Sequence, residues 1–287
     1  MHGAWSVQCL AHVGEPEPGA RVGDYVIEAE LTTRPGVYAS THRLLPRRAH
    51  IIASLSEPAA SSLACILEQL RHPAVPRIYE LGQLEDRRPW LAVAVIEGPT
   101  LAERIAAAPL PVVETAALLR DLATVLAHAH GHGIVHGGLC ADHVALTLDG
   151  WKIVDWTEAG RADDHATDTT ALGTLAYAAL ARALPTSPIT HRCPGVPVAL
   201  ARMIDGLLSD FPMPAERVAV LAAQLVEDLA QPEPSAEDSV PIAIEDIVLL
   251  DVSRPPPVPM KLRVRAQGTG PVTVTKGSGH GPDKKES

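Results

Sequence analysis

Short stretches in which apolar and polar residues alternate dominate the first hundred positions. Longer stretches with apolar residues three and four apart dominate positions 100–230. DYVIEAEL (24–31) and GVYAST (36–41) read as two strands joined through a Thr-Thr-Arg-Pro turn, and RRAHIIASL (47–55) offers a third. Leu63, Ile66, Leu67 and Leu70 fall on one face of a predicted helix in 61–70 that Arg71-His72-Pro73 closes. The run 77–98 supplies a strand, a charged turn and another strand. Past Gly98 the period becomes helical, first in 100–108 and then in 112–133, where Gly131 and Gly133 mark the end. HVALTL (143–148) and WKIVDW (151–156) interrupt it as a hairpin around Asp149-Gly150. Helical spacing returns in 168–184, 196–209 and 214–230. A strand-rich half followed by a helix-rich half is an α+β arrangement.

Composition narrows the function classes. The 46% hydrophobic content supports a sizeable core, built from Ala, Leu and Val because aromatic residues are only 3%. A net charge of −10 argues against general affinity for nucleic acid or anionic lipid. The four cysteines form no CxxC pair, so neither a zinc ribbon nor a disulfide scaffold is indicated. Cys65 and Cys140 read as small core residues, and Cys9 and Cys193 as loop residues. With no signal-peptide pattern and no apolar run of bilayer length, the expectation is a cytoplasmic protein. Of the 13 histidines, His128, His130, His132 and His136 crowd one segment. His128 and His132 would share a helical face, but the helix ends at Gly131, so they read as surface histidines and not as metal ligands. From Gln231 the texture changes to a linker, with a polyproline stretch at 255–259 that suits either a spacer or an aromatic groove. Residues 232–251 carry six acidic and no basic side chains, and 254–287 seven basic and two acidic.

Four segments in order carry a family resemblance. GDYVIEAEL with VYAS and RR resembles the opening strands of bacterial Ser/Thr protein kinases. LEQLRHPAVPRIYELGQLEDRRPWLAVAVIEGPTLAERI is similar to their regulatory helix through the hinge. LAHAHGHGIVHGGLCADHVALTLDGWKIVDW resembles the catalytic loop and metal-binding strand pair, and DTTALGTLAYAALARALP the central helix of the second lobe, with Asp168 at the acidic position that opens it. The resemblance spans 21–230 and implies a bilobal kinase-like fold: an N-lobe at 21–97 and a shortened C-lobe at 98–230. Residues 1–20 would then be an extension and 231–287 a tail. It implies that Val93 stands at the back of a nucleotide pocket and that Ala94-Val95 form the hinge.

The same resemblance shows where phosphotransfer chemistry would lack its groups. The loop that should be glycine-rich reads LTTRPG, with Gly36 alone, and is two residues short. Ile52 stands at the strand lysine and Leu63 at its glutamate partner; losing both leaves no unpaired charge. Gly138 stands at the catalytic base and His143 at the metal-ligating Asn. Asp142 is a weak substitute base, and His136 has the structural role of packing under the loop. Asp155 alone keeps the identity of a metal ligand, followed by Trp156 and Thr157. Only 12 residues separate Asp155 from Asp168, too few for an activation segment. GTLAY (173–177) reads as part of the helix and not as a remnant of that segment.

These departures imply a non-catalytic pseudokinase that regulates or scaffolds a protein partner, an active kinase or another signalling protein. They imply no cofactor, with ATP and Mg²⁺ binding weaker than about 1 mM. The alternative is a kinase-like enzyme that keeps residual ATP binding and weak transfer through Asp155. Lys152, the single Lys of the first 260 residues, would be its displaced cation.

Overall fold

The computed structural model describes residues 15–231; Cys9, the polyproline stretch and the charge blocks of the tail lie outside the described residues. Strands β1 (Arg21–Val22), β2 (Tyr25–Glu30), β3 (Val37–His42) and β4 (Arg48–Ile52) come first. Helix α1 (Glu57–Leu70), β5 (Ile78–Gln83) and β6 (Pro89–Ala94) complete the first part. The six strands form one antiparallel sheet in the order β1-β2-β3-β4-β6-β5. Alternation along the strands divides their side chains between its two faces. Tyr25, Ile27, Tyr38, Ile51 and Trp90 build a small core on one side. Val37, Ile52, Leu91 and Val93 join a larger core on the other, where α1 adds Leu63, Ile66, Leu67 and Leu70. The helix starts four residues before the predicted stretch because Pro58 suits a first turn, where its missing N–H costs nothing. Cys65 is exposed, contrary to its reading as a core residue. Two positions from both Leu63 and Leu67, it points roughly 200° away from the apolar stripe.

The second part holds α2 (Leu101–Ala107), α3 (Val112–His130), β7 (Ile134–Val135), β8 (Val144–Thr147) and β9 (Gly150–Ile153). It continues with β10 (Gly160–Arg161), α4 (Ala166–Ala181), α5 (Ile189–Arg192), α6 (Val198–Leu207) and α7 (Ala215–Ala230). Thr100 opens α2 through a capping box with Glu103. Pro111, Pro188, Pro197 and Pro214 stand immediately before α3, α5, α6 and α7, where a fixed φ presets the entry to the helix. Leu118, Leu119, Leu122 and Leu126 of α3 are fully buried, and α3 packs against α7, α4 and β9. GTLAY lies inside α4, and Gly173 lets α6 approach: a Cβ there would stand 2.7 Å from Leu207 Cβ. The hairpin falls where Asp149-Gly150 placed it. The sequence reading missed β1, β7, β10 and α5, which are two to four residues long and show no period. Among the described residues no helix is long and apolar enough to cross a membrane.

Candidate functional site

The large-core face of the sheet, α1 and the segment leaving β9 surround a small cavity. Ile52 is paired with Val37 and Leu91 across the sheet and Leu63 projects from α1; both are buried. With Leu67, Val93 and Trp156 they make the wall apolar. Burial of side chains of this size stabilises by about 1.5–3 kcal/mol each. The remaining space is about 10 Å³, room for no more than about one water molecule.

The polar side of the cavity is made by Arg34. The β2–β3 connection closes on itself: Arg34 N–H donates to Leu31 O at 3.0 Å and Val37 N–H donates to Arg34 O at 3.1 Å. Gly36, at φ +75°, packs so tightly on Ser54 that a Cβ would collide with it. That fold turns the Arg34 side chain inward, where it is 12% exposed. Its guanidinium donates to Val154 O at 3.2 Å and to Asp155 Oδ2 at 3.4 Å, and meets His50 Nδ1 at 3.1 Å. A guanidinium only donates, so His50 Nδ1 is the acceptor and carries no proton. Burial, Arg34 and Arg48 push the His50 pKa down to about 4. Asp155 Oδ1 accepts from Thr157 N–H at 2.9 Å. Burial opposes the Asp155 charge, yet the Thr157, His143 and Arg34 interactions outweigh it and lower the pKa.

Beneath this cluster Asp168, buried in the first turn of α4, gathers three donors: His136 N–H at 2.8 Å, Gly137 N–H at 2.9 Å and His130 Nε2 at 2.8 Å. These bonds outweigh the burial that would raise its pKa, and the net shift is downward. Gly137 stands at φ +78°, and a Cβ there would come within 2.8 Å of Glu158 O, so both the backbone and the packing call for glycine. His136 Nδ1 accepts from Gly138 N–H at 3.3 Å, so Nε2 carries the proton and donates to Asp155 O at 2.6 Å. Both ring nitrogens are satisfied in the neutral form, and burial lowers the pKa. The Trp156 ring packs on the imidazole, centroids 4.9 Å apart.

His143 Nδ1 donates to Gly138 O at 2.8 Å, so this nitrogen cannot offer a lone pair. Its ring also bonds the Cys140 thiol. Burial is the largest single influence and opposes charge on both partners, but that bond, the attraction between the two, nearby backbone bonds and, for His143, the Asp155 charge together outweigh it, lowering the Cys140 pKa and raising that of His143. The Glu158 carboxylate occupies the space that a side chain on Gly138 would need.

The structure thus brings together Ile52, Leu63, Val93 and Asp155, with Gly138 beside them through His136, which bonds both Gly138 and Asp155, and His143 through its carbonyl, which accepts from Val154 N–H at 2.8 Å. Ala94 pairs with Ala49 and already donates its N–H to Arg77 O at 2.8 Å; Val95 follows, half-buried, beyond β6. Lys152 is not in this cluster. It pairs with Asp149 across the hairpin at 3.2 Å, because the period-two register of β9 turns it away from Ile153 and Trp151. The cation in the cavity is Arg34, which sequence reasoning missed by searching for a lysine; the signal was the one Arg beside the one Gly of a short loop. His128 and His132 correct another reading. The helix ends at His130 as expected, yet the rings meet at 4.7 Å, and His72 joins them 5.2 Å from His128. Among the described residues no group of His, Cys, Asp or Glu converges to hold a metal ion.

No protein-family model matches the chain. Similarity to curated proteins is partial and falls on one group. The chain is similar to bacterial serine/threonine protein kinases. It is 33% identical to PknL of Mycobacterium tuberculosis over 113 residues, 38% of this chain and 28% of that protein. With pkn1 of Chlamydia caviae it shares 30% identity over 155 residues, 48% of this chain and 24% of that kinase. With AfsK of Streptomyces griseus it shares 35% over 92 residues, 31% of this chain and 11% of that kinase. The aligned parts therefore span little more than a quarter of these kinases' length at most. The kinase-like similarity accords with the α+β arrangement of an antiparallel sheet followed by helices.

Proposed function

We propose that this kinase-like protein is a pseudokinase: a bilobal, cytoplasmic regulatory or scaffolding module that acts on a protein partner and transfers no phosphoryl group. The observation that carries the reading is Arg34, a cation of the chain itself, standing against Asp155 in a cavity of about 10 Å³. Phosphoryl transfer needs positioned cations around the phosphates and oxygen ligands for Mg²⁺. Here the lysine and glutamate positions hold the buried pair Ile52 and Leu63, and the Asn position holds His143 with Nδ1 committed to Gly138 O. Both Asp155 oxygens are engaged, by Thr157 and by Arg34. This donor set does not suit a magnesium–nucleotide complex. The partner would be an active kinase or another signalling protein, met through surface and tail.

A rearranged enzyme is the second reading, favoured by Glu158, whose carboxylate lies over Gly138 at the position of the missing base. One experiment separates the two. Purified protein is incubated with radiolabelled ATP, Mg²⁺ and a general protein substrate, alongside Asp155→Ala and Glu158→Gln. The pseudokinase reading expects no transfer above the Asp155→Ala background, and no rise in Tm with millimolar MgATP, since the linkage RT ln(1 + [L]/Kd) vanishes when binding is weak. Transfer that disappears in both variants would establish the rearranged enzyme instead.

A further inference from the structure

We infer that Arg34 is a built-in clamp that holds the cleft closed without any ligand, by tying the β2–β3 loop to the segment that leaves β9. The clamp is a matter of conformation and holds whether or not the protein transfers phosphate. Arg34 lies in the connection between β2 and β3 and His50 on β4, whereas Val154 and Asp155 lie about 120 positions away beyond β9. A single planar guanidinium therefore bonds groups from both parts of the chain, which a point-charge ammonium could not satisfy in the same directions.

The surroundings require this arrangement. Asp155 is 5% exposed, and a carboxylate so buried is costly unless paired. Thr157 N–H and the nearby His143 stabilise one side of it, and Arg34 supplies the charge on the other. The loop cannot relax outward cheaply, because Gly36 N–H is held by Glu30 Oε1 at 2.7 Å and Gly36 O accepts from Ala53 N–H at 2.9 Å. The three Arg34 contacts, at 3.1–3.4 Å, are long for charge-assisted bonds. The clamp is thus specific in direction but light in strength, a contact that a partner competing for the guanidinium could release.

Hydrogen–deuterium exchange on the full chain tests this, comparing the wild type with Arg34→Ala, Arg34→Lys, Asp155→Asn and, as a surface control, Arg43→Ala. Arg43 pairs with Asp24 in solvent. Opening the clamp should speed exchange of amides 154–157 and 50–53 by about tenfold or more in Arg34→Ala, with Arg34→Lys between it and the wild type. Amides of α3 and α4 and the whole Arg43→Ala map should stay unchanged. Asp155→Asn should loosen 34–37 in part, since Arg34 keeps Val154 O and His50, and adding it to Arg34→Ala should change the 50–53 map little further, since removing Arg34 already removes its interaction with Asp155. Exchange at 154–157 within about twofold of wild type in a folded Arg34→Ala protein would overturn the clamp. If Arg34→Ala does not fold, exchange at 154–157 and 50–53 that stays within about twofold of wild type in Arg34→Lys would overturn it equally. Phosphotransfer by the wild type would refute the pseudokinase reading and leave this result untouched.

Discussion

Replacing Asp168 by Asn removes a charge while keeping the shape of the side chain, and the consequence follows from three bonds. Asp168 Oδ2 accepts from His136 N–H and His130 Nε2, both at 2.8 Å, and Oδ1 accepts from Gly137 N–H at 2.9 Å. An Asn has one carbonyl oxygen. Placed at Oδ2 it keeps two acceptor contacts but turns its NH₂ toward the Gly137 N–H; placed at Oδ1 it sets the NH₂ against two donors. The better choice leaves one donor unsatisfied beside the loop, costing about 1–3 kcal/mol, and converts two charge-assisted bonds to neutral ones. The total is about 3 kcal/mol, which for a domain of this size lowers Tm by roughly 6–12 °C. Thermal melting followed by circular dichroism measures it. The folded pKa of Asp168 is depressed, so its contribution is present above the unfolded value of 3.8 and lost as pH falls through the folded one. The wild-type and Asn melting curves should therefore converge below pH 3.8. A drop under about 2 °C at pH 7, or a gap that persists unchanged into acid, would refute the account of this network.

Other outcomes come from the cavity and the buried imidazoles. His50, His72 and His136 have pKa values lowered by burial, His50 to about 4, so the unfolded chain binds their protons first. Urea midpoints should fall as pH drops from 6.5 toward 4; a flat profile there would contradict the neutral buried rings. His143 runs the other way: its raised pKa adds stability below pH 6.5 that is lost as pH rises through the folded value, and His143→Asn should reduce that component. Ile52→Lys places an unpaired cation in an apolar wall and should cost about 3–5 kcal/mol by chemical denaturation. Adding Leu63→Glu should recover part of that loss, and a double variant no better than the sum of the singles would show that the two positions do not face each other.

Where the chain's own periodicity was strong, the sequence alone determined the element and its partner face. Leu63, Ile66, Leu67 and Leu70 are a helical stripe in any context, and Asp149-Gly150 turns a hairpin through local backbone preferences. The residue types at Ile52, Leu63, Gly138 and His143 stand in the chain itself, and their meaning for phosphotransfer belongs to the proposed reading. What enters the cavity was not legible there. Arg34 reaches Asp155 across about 120 positions because Gly36 can pack on Ser54 and turn the loop inward, a relation between separate strands that no spacing encodes. Glu158 over Gly138, and His72 meeting His128, are likewise contacts between separate segments, fixed only when they pack on one core. Local sequence sets dihedral preferences and apolar faces. Burial and pairing of a charge depend on which distant groups share the space, and that is decided by the tertiary fold.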